Sequence, residues 1–232
     1  MNLYVSHSAR CLAASSLLWA SAASGDIISP DGTLYTITDQ TPPINANYAA
    51  DNLFDQALEI GDDPGNGDDE GRSWGTLSSD GANGTIGDGI GRSDVVAFEL
   101  DQVYLIDALI YAQRQFNDDP DRDKNASVSI WASETTAFTT ADPGTAADIV
   151  DLVLDVTDDT FLFYALPTTI SGRYFRLEFE DSPTNMRFDE FGNPIPSADS
   201  TGGSELRFNN APEPGSLALL GLGAMAMIRR RR

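Results

Sequence analysis

Oxygen-bearing side chains recur at every second position in the run Asp119, Asp121, Asp123 and Asn125. That spacing can converge on one hard cation, since Ca²⁺ takes six to eight oxygen ligands. An EF-hand loop opening this way needs Gly where Lys124 stands and an acid where Ile130 stands, so the run is not an EF-hand. Two readings stay open: a looser Ca²⁺ site, or a solvated loop in which Arg122 and Lys124 pair locally. The acidic run 61–71 has no regular oxygen spacing and reads as an exposed insert. A ligand surface is the second chemistry. Trp74, Tyr111 and Phe116 offer flat faces on which sugar rings stack, and Arg114 and Arg122 can pair with hydroxyls. Trp74 and Tyr111 suit a core equally well. Paired carboxylates can also hydrolyse glycosides. With thirty-six acidic residues some pair always falls into place, none is singled out, and the chain reads as a non-enzyme.

The termini bound the part of the chain that must position these groups. From Ala211 the chain ends APEPGSLALLGLGAMAMIRRRR. Pro212, Glu213 and Pro214 hold an extended stretch that a protease can read. The uncharged run Ser216–Ile228 can enter a bilayer as a helix, and Arg229, Arg230, Arg231 and Arg232 stay on the cytoplasmic side. In this order the elements resemble the PEP-CTERM sorting tail of Gram-negative and related bacteria. The resemblance implies export and cleavage near Pro-Glu-Pro by an exosortase. Thirteen helical residues reach roughly 20 Å, short of the roughly 30 Å bilayer core. The tail therefore reads as a transient membrane contact; the other reading is a buried terminal helix, which four closing arginines suit poorly.

At the other end, His7 and Arg10 precede the apolar segment Leu12–Ala20 and small residues to Ser24. This is the pattern of a secretory signal peptide cut after Ala22 or Ala23. Cys11 opens the apolar segment, which argues against a lipoprotein site. The organisation expected is residues 1–23 as signal peptide, 24–210 as one domain and 211–232 as sorting tail, with the protein at the cell envelope, outer surface or extracellular matrix.

Processing has chemical consequences. His7 and Cys11 are the only histidine and cysteine, and both lie in the signal segment. The domain that remains excludes Cys nucleophiles, Ser-His-Asp triads, zinc sites and haem ligation. Five of fourteen basic residues and one of thirty-six acidic residues lie in the terminal segments, leaving a net charge near −26 between them. Such a surface excludes nucleic acid as a partner. It stays soluble by self-repulsion or uses its carboxylates to hold Ca²⁺.

The apolar pattern has period two or short continuous runs. It predicts strands at Leu34–Thr38, Val95–Leu100, Leu105–Ala112, Ser127–Ala132, Ile149–Val156, Phe161–Ala165, Tyr174–Glu180 and Ser204–Asn209, with a short helix or turn in Ala49–Leu58. About eight strands joined by long polar loops predict an all-β, antiparallel jelly-roll sandwich. The stretch Tyr48–Asp55, then Ser73-Trp74, the paired runs Val96–Leu100 and Leu105–Gln113, Ser127–Ser133, Gly172–Leu177 and Glu205–Phe208 together resemble discoidin-like (galactose-binding-like) domains. These include the coagulation-factor C-type and many carbohydrate-binding modules. The resemblance implies one structural Ca²⁺ held by Asp55, Glu205 and carbonyls near Ala50 and Asn52. Gln56 departs from the Gly usual after that Asp, and Arg72 from the Thr usual before the Trp. It also implies a non-catalytic module for carbohydrate or exopolysaccharide. The alternatives are a matrix or coat protein with no specific ligand and, more distantly, a carboxylate-based glycosidase or lyase.

Overall fold

The computed structural model describes residues 25–29, 31–43, 46–55, 59–62, 73–76, 93–114, 124–157, 160–181 and 202–212. Residues Ile27–Asn210 form one compact unit, and Met1–Asp26 with Ala211–Arg232 fall in a second. Among the described residues the chain forms eight strands: β1 (Asp26–Ile27), β2 (Tyr35–Gln40), β3 (Trp74–Gly75), β4 (Ser93–Gln113), β5 (Asn125–Ser133), β6 (Ile149–Val153), β7 (Leu162–Asp181) and β8 (Gly202–Asn210). Two 3₁₀ turns, Ala46–Tyr48 and Ala50–Phe54, lie between β2 and β3.

The architecture rests on β4 and β7, which each serve two layers. Residues 93–99 of β4 pair antiparallel with residues 174–180 of β7, and residues 104–111 pair with residues 162–172. The ladder is interrupted between Glu99 and Tyr104 and again between Ile106 and Ala108. In the first layer β2 pairs with the early half of β4, and β5 joins β7 to β6. In the second layer β8 pairs with the later half of β4, and β3 pairs with β8. The layers meet through their rings. Phe98 lies 5.7 Å and Phe175 4.7 Å from Phe208, and Tyr111 lies 5.4 Å from Phe179. The fold is an all-β antiparallel sandwich.

Alternation explains the core. Phe175, Leu177 and Phe179 point inward from β7 and are fully buried, as successive residues on one face of a strand must be. Two expectations need correction. The runs predicted as separate strands 95–100 and 105–112 are one strand, and the runs 161–165 and 174–180 join in β7, which starts one residue later at Leu162, because the chain stays extended while it passes between layers. Pro167 falls where β7 breaks register, at a point that requires no ladder N–H. The last predicted strand residues 154–156 lie beyond β6, which ends at Val153, and β1 and β3 are too short to leave a periodic trace. No described helix is long and apolar enough to cross a membrane, and the tail's apolar run lies outside the described residues.

Candidate functional site

One end of the sandwich gathers the chain ends of three segments. They run from Thr76 to Ser93, from Arg114 to Lys124 and from Asp181 to Gly202. Pairing places these flanks together: Ser93 opposite Glu180, Asn125 opposite Asp181, Gln113 opposite Gly203 and Gly75 opposite Gly202. The Thr76 hydroxyl donates to Asp94 Oδ2 at 2.5 Å.

Beneath these flanks lies a hydrogen-bonded polar floor. Tyr111 Oη donates to the Gly202 carbonyl at 2.8 Å and accepts from Asn125 Nδ2 at 2.6 Å. The same amide nitrogen donates to Gly202 O at 2.6 Å. Gln113 Nε2 donates to Asn125 O, and Asn125 N donates back to Gln113 Oε1. Gly203 is required here, since a Cβ would stand 2.5 Å from Tyr111 Oη and 2.9 Å from Leu53 Cδ2. Full burial pushes the Tyr111 phenol far above its ordinary value, so it remains a neutral donor. Tyr111→Phe should cost about 0.5–1.5 kcal/mol, because Gly202 O and Asn125 Nδ2 each lose one partner inside the protein while keeping each other. Urea denaturation should show a lower midpoint at unchanged slope; an unchanged midpoint would remove the floor from the stability argument.

This geometry corrects part of the ligand surface expected from sequence. Trp74 is 0% exposed and its ring lies 5.4 Å from Phe179. Tyr111 is equally buried, and Arg114 is 1% exposed with its guanidinium 4.6 Å from the Tyr48 ring centroid. A covered ring has no face for a sugar, so these three residues support the loop end from within. Phe116, Arg122, Asp119, Asp121 and Asp123 lie outside the described residues. So do Glu213, Pro214 and the terminal arginines, while Pro212 is described, half-buried just beyond β8.

The second expected site lies where the chain entry meets β8. Glu205 is fully buried and Asp55, just past the 3₁₀ turn, is exposed. Between turn and strand sits Arg207, 1% exposed and ion-paired with Glu205. Its Nη1 donates to Leu53 O at 3.1 Å and to Leu206 O at 2.6 Å. Its guanidinium carbon is 5.5 Å from the Tyr35 ring centroid and 6.0 Å from that of Phe54. Burial pushes the Arg207 guanidinium below its ordinary value, opposed by the nearby charges of Glu205, Asp55 and Asp31, which favour its charged form. The Tyr35 hydroxyl completes the junction, accepting from Phe208 N at 2.8 Å and donating to Ile28 O at 3.0 Å.

Sequence reading missed two arginines. Arg207 sits in an alternating strand where a charge is ordinarily solvent-facing, and only its burial reveals it. Arg176 stacks 4.4 Å over the Trp131 ring and donates to Glu178 Oε2 at 2.6 Å. Trp131 and Arg176 face each other in register across β5 and β7, a pairing invisible before the strands are aligned.

The family described as PEP-CTERM protein-sorting motif matches residues 210–232. That motif is the mark of an exported, surface-associated protein. No curated protein matches the chain. Among solved structures, the chain is similar to the C-terminal domain of a chitobiase from Bacteroides fragilis, at 17% identity over 81% of this chain and 100% of that one, with a TM-score of 0.46. It is similar to the family 32 carbohydrate-binding module of Streptococcus pneumoniae EndoD, at 11% identity over 80% and 99%, with a TM-score of 0.47. A module named CBM32-3, from a family 31 glycoside hydrolase of Clostridium perfringens, is 13% identical over 79% and 94%, with a TM-score of 0.46.

Proposed function

We propose that this chain is a non-catalytic surface or matrix module, processed by an exosortase, that binds extracellular polysaccharide through the loop end of its sandwich. The observation that carries this reading is that the described residues flanking three segments, Thr76 and Ser93, Arg114 and Lys124, and Asp181 and Gly202, lie together at one braced end of the strand pairing. Recognition residues are commonly carried on connecting segments held by a rigid scaffold. The ligand contacts belong to the segments themselves, with Phe116 and Arg122 the residues of suitable chemistry, because Trp74, Tyr111 and Arg114 are interior. The net charge near −26 opposes an anionic polymer, so the ligand class is a neutral polysaccharide. In this reading the signal peptide leaves at Ala22 or Ala23, and the tail touches the membrane only during sorting.

Affinity electrophoresis of the full chain through gels containing neutral polysaccharides tests the idea. Retardation should fall at least about tenfold when residues 116–122 are replaced by a Gly-Ser linker, as expected when the central contacts of a site are removed. Retardation that survives the replacement would move the site off this segment. A matrix or coat protein without a specific ligand is the second reading, favoured by the burial of Trp74 and Tyr111. Migration unaffected by every polymer tested would select it.

A further inference from the structure

A Ca²⁺ at Asp55 and Glu205, as a discoidin-like domain implies, must share its place with the side chains already there. Glu205 faces Arg207, and the Leu53 carbonyl of the adjoining turn accepts from the same guanidinium. Asn52 is also engaged: its Nδ2 donates to Asn47 O at 2.6 Å and to Ser73 O at 2.9 Å. Ala49 O accepts from Asn52 N at 3.1 Å. Among the described residues no three acids, histidines or cysteines gather as a metal-holding group. The donor set does not fit a divalent ion alongside a buried arginine, because two cations would compete for one carboxylate and one carbonyl.

We infer that the guanidinium of Arg207 is the resident cation of this junction and stands where a structural Ca²⁺ would tie the first turns to the last strand. Its geometry meets the same requirements. Nη1 alone reaches the Glu205 carboxylate and the Leu53 and Leu206 carbonyls, while the planar group sits within 6.0 Å of the Tyr35 and Phe54 ring centroids, a placement that a lysine ammonium on a flexible stem meets less well. It links Leu53, on the 3₁₀ turn, to Glu205 and Leu206, on β8, across 154 positions of sequence in the case of Leu53. The rings of Tyr35 and Phe54 bound it, and the space over Gly32 admits its Nη2, 3.2 Å from where a Cβ would be. A cation carried on the chain cannot be removed by a chelator. The fold is thereby independent of calcium at this junction. This inference does not depend on the proposed ligand.

Thermal unfolding of the full chain, in excess EDTA and in millimolar Ca²⁺, tests it with variants of Arg207 and Glu205. The wild type should melt at the same temperature in both buffers. Any rise in Ca²⁺ that persists in Glu205→Gln arises elsewhere in the chain and agrees with the inference. Arg207→Ala vacates the position while leaving Glu205, Asp55 and the carbonyls. It should melt lower in EDTA and regain about 5 °C or more in saturating Ca²⁺, a gain abolished by adding Glu205→Gln. A wild-type rise that disappears in Glu205→Gln overturns the inference, as does an Arg207→Ala variant that folds but ignores Ca²⁺. Should Arg207→Ala fail to fold in both buffers, Arg207→Lys decides. Calcium-insensitive melting of that variant, or a calcium rise that persists when Glu205→Gln is added, supports a built-in cation, and calcium-dependent stabilisation that Glu205→Gln removes overturns it.

Discussion

Truncating Phe98 to alanine should cost about 3–5 kcal/mol, the range for removing a buried aromatic from a core that cannot collapse around the loss. Phe98 is fully buried on the early half of β4. Its ring lies 5.1 Å from Phe54, 5.6 Å from Phe175, and 5.7 Å from both Tyr35 and Phe208. Those four neighbours come from the turn after β2, from β7, from β2 and from β8, so one side chain touches both layers and the segment that closes their edge. The loss is large against the 5–15 kcal/mol that typically holds a domain together. Equilibrium urea denaturation should show the midpoint falling sharply at unchanged slope. Phe163→Ala is the control. Its ring is 47% exposed on the other half of the ladder, and truncation there should cost less than about 1 kcal/mol. Similar losses at both sites would mean that the layers do not close on Phe98.

That contrast also marks what could be read from residues alone. Period-two alternation in Tyr174–Glu180 identifies its inward face, because a strand's side chains have only two directions to choose from. Joining the two halves of β4 was not legible. Asp101 and Gln102 look like turn punctuation, whereas an extended chain can pass from one layer to the other without leaving the ladder direction. The roles of Trp74, Tyr111 and Arg114 were ambiguous for a chemical reason: a large amphipathic ring or a guanidinium suits an interior network as well as a sugar. Tyr111 is settled by Gly202 and Asn125, which lie 91 and 14 positions away and become neighbours only in the fold. In Glu205-Leu206-Arg207-Phe208 the alternation places Leu206 and Phe208 together and Glu205 and Arg207 together. Nothing local says that both faces of the strand are covered, and that coverage turns an ordinary charged pair into a junction. The sorting tail was legible because a linear signal is defined by order and composition and needs no tertiary partner.

Gly32→Ala should destabilise the protein by about 3 kcal/mol or more, through two separate causes. The first is conformational: Gly32 has φ +73°, and a side chain in that left-handed region costs about 1–2 kcal/mol. The second is contact, since a Cβ at Gly32 would fall 1.4 Å from the Phe54 carbonyl oxygen and 2.5 Å from its carbon. Backbone cannot rotate away as a side-chain tip can, so the Ser29–Gly32 turn or the 3₁₀ turn must move. Either movement strains a connected set. Gly32 N donates to Ser29 O at 2.8 Å, Tyr35 N donates to Gly32 O at 3.1 Å, and the displaced turn carries the Leu53 carbonyl that Arg207 holds. Gly144 separates the two causes. It has φ +68°, and a Cβ there meets nothing within 4 Å. Gly144→Ala should therefore show the conformational cost alone, about 1–2 kcal/mol. Urea midpoints for both variants give the comparison, and Gly32→Asn extends it. Asparagine tolerates the left-handed region but still carries a Cβ, so it should relieve little of the loss at position 32. Equal losses at 32 and 144, or full relief by asparagine, would show that the turn does not press on Phe54. The predicted inequality would locate the entry turn against the 3₁₀ turn, the arrangement that keeps Arg207 enclosed.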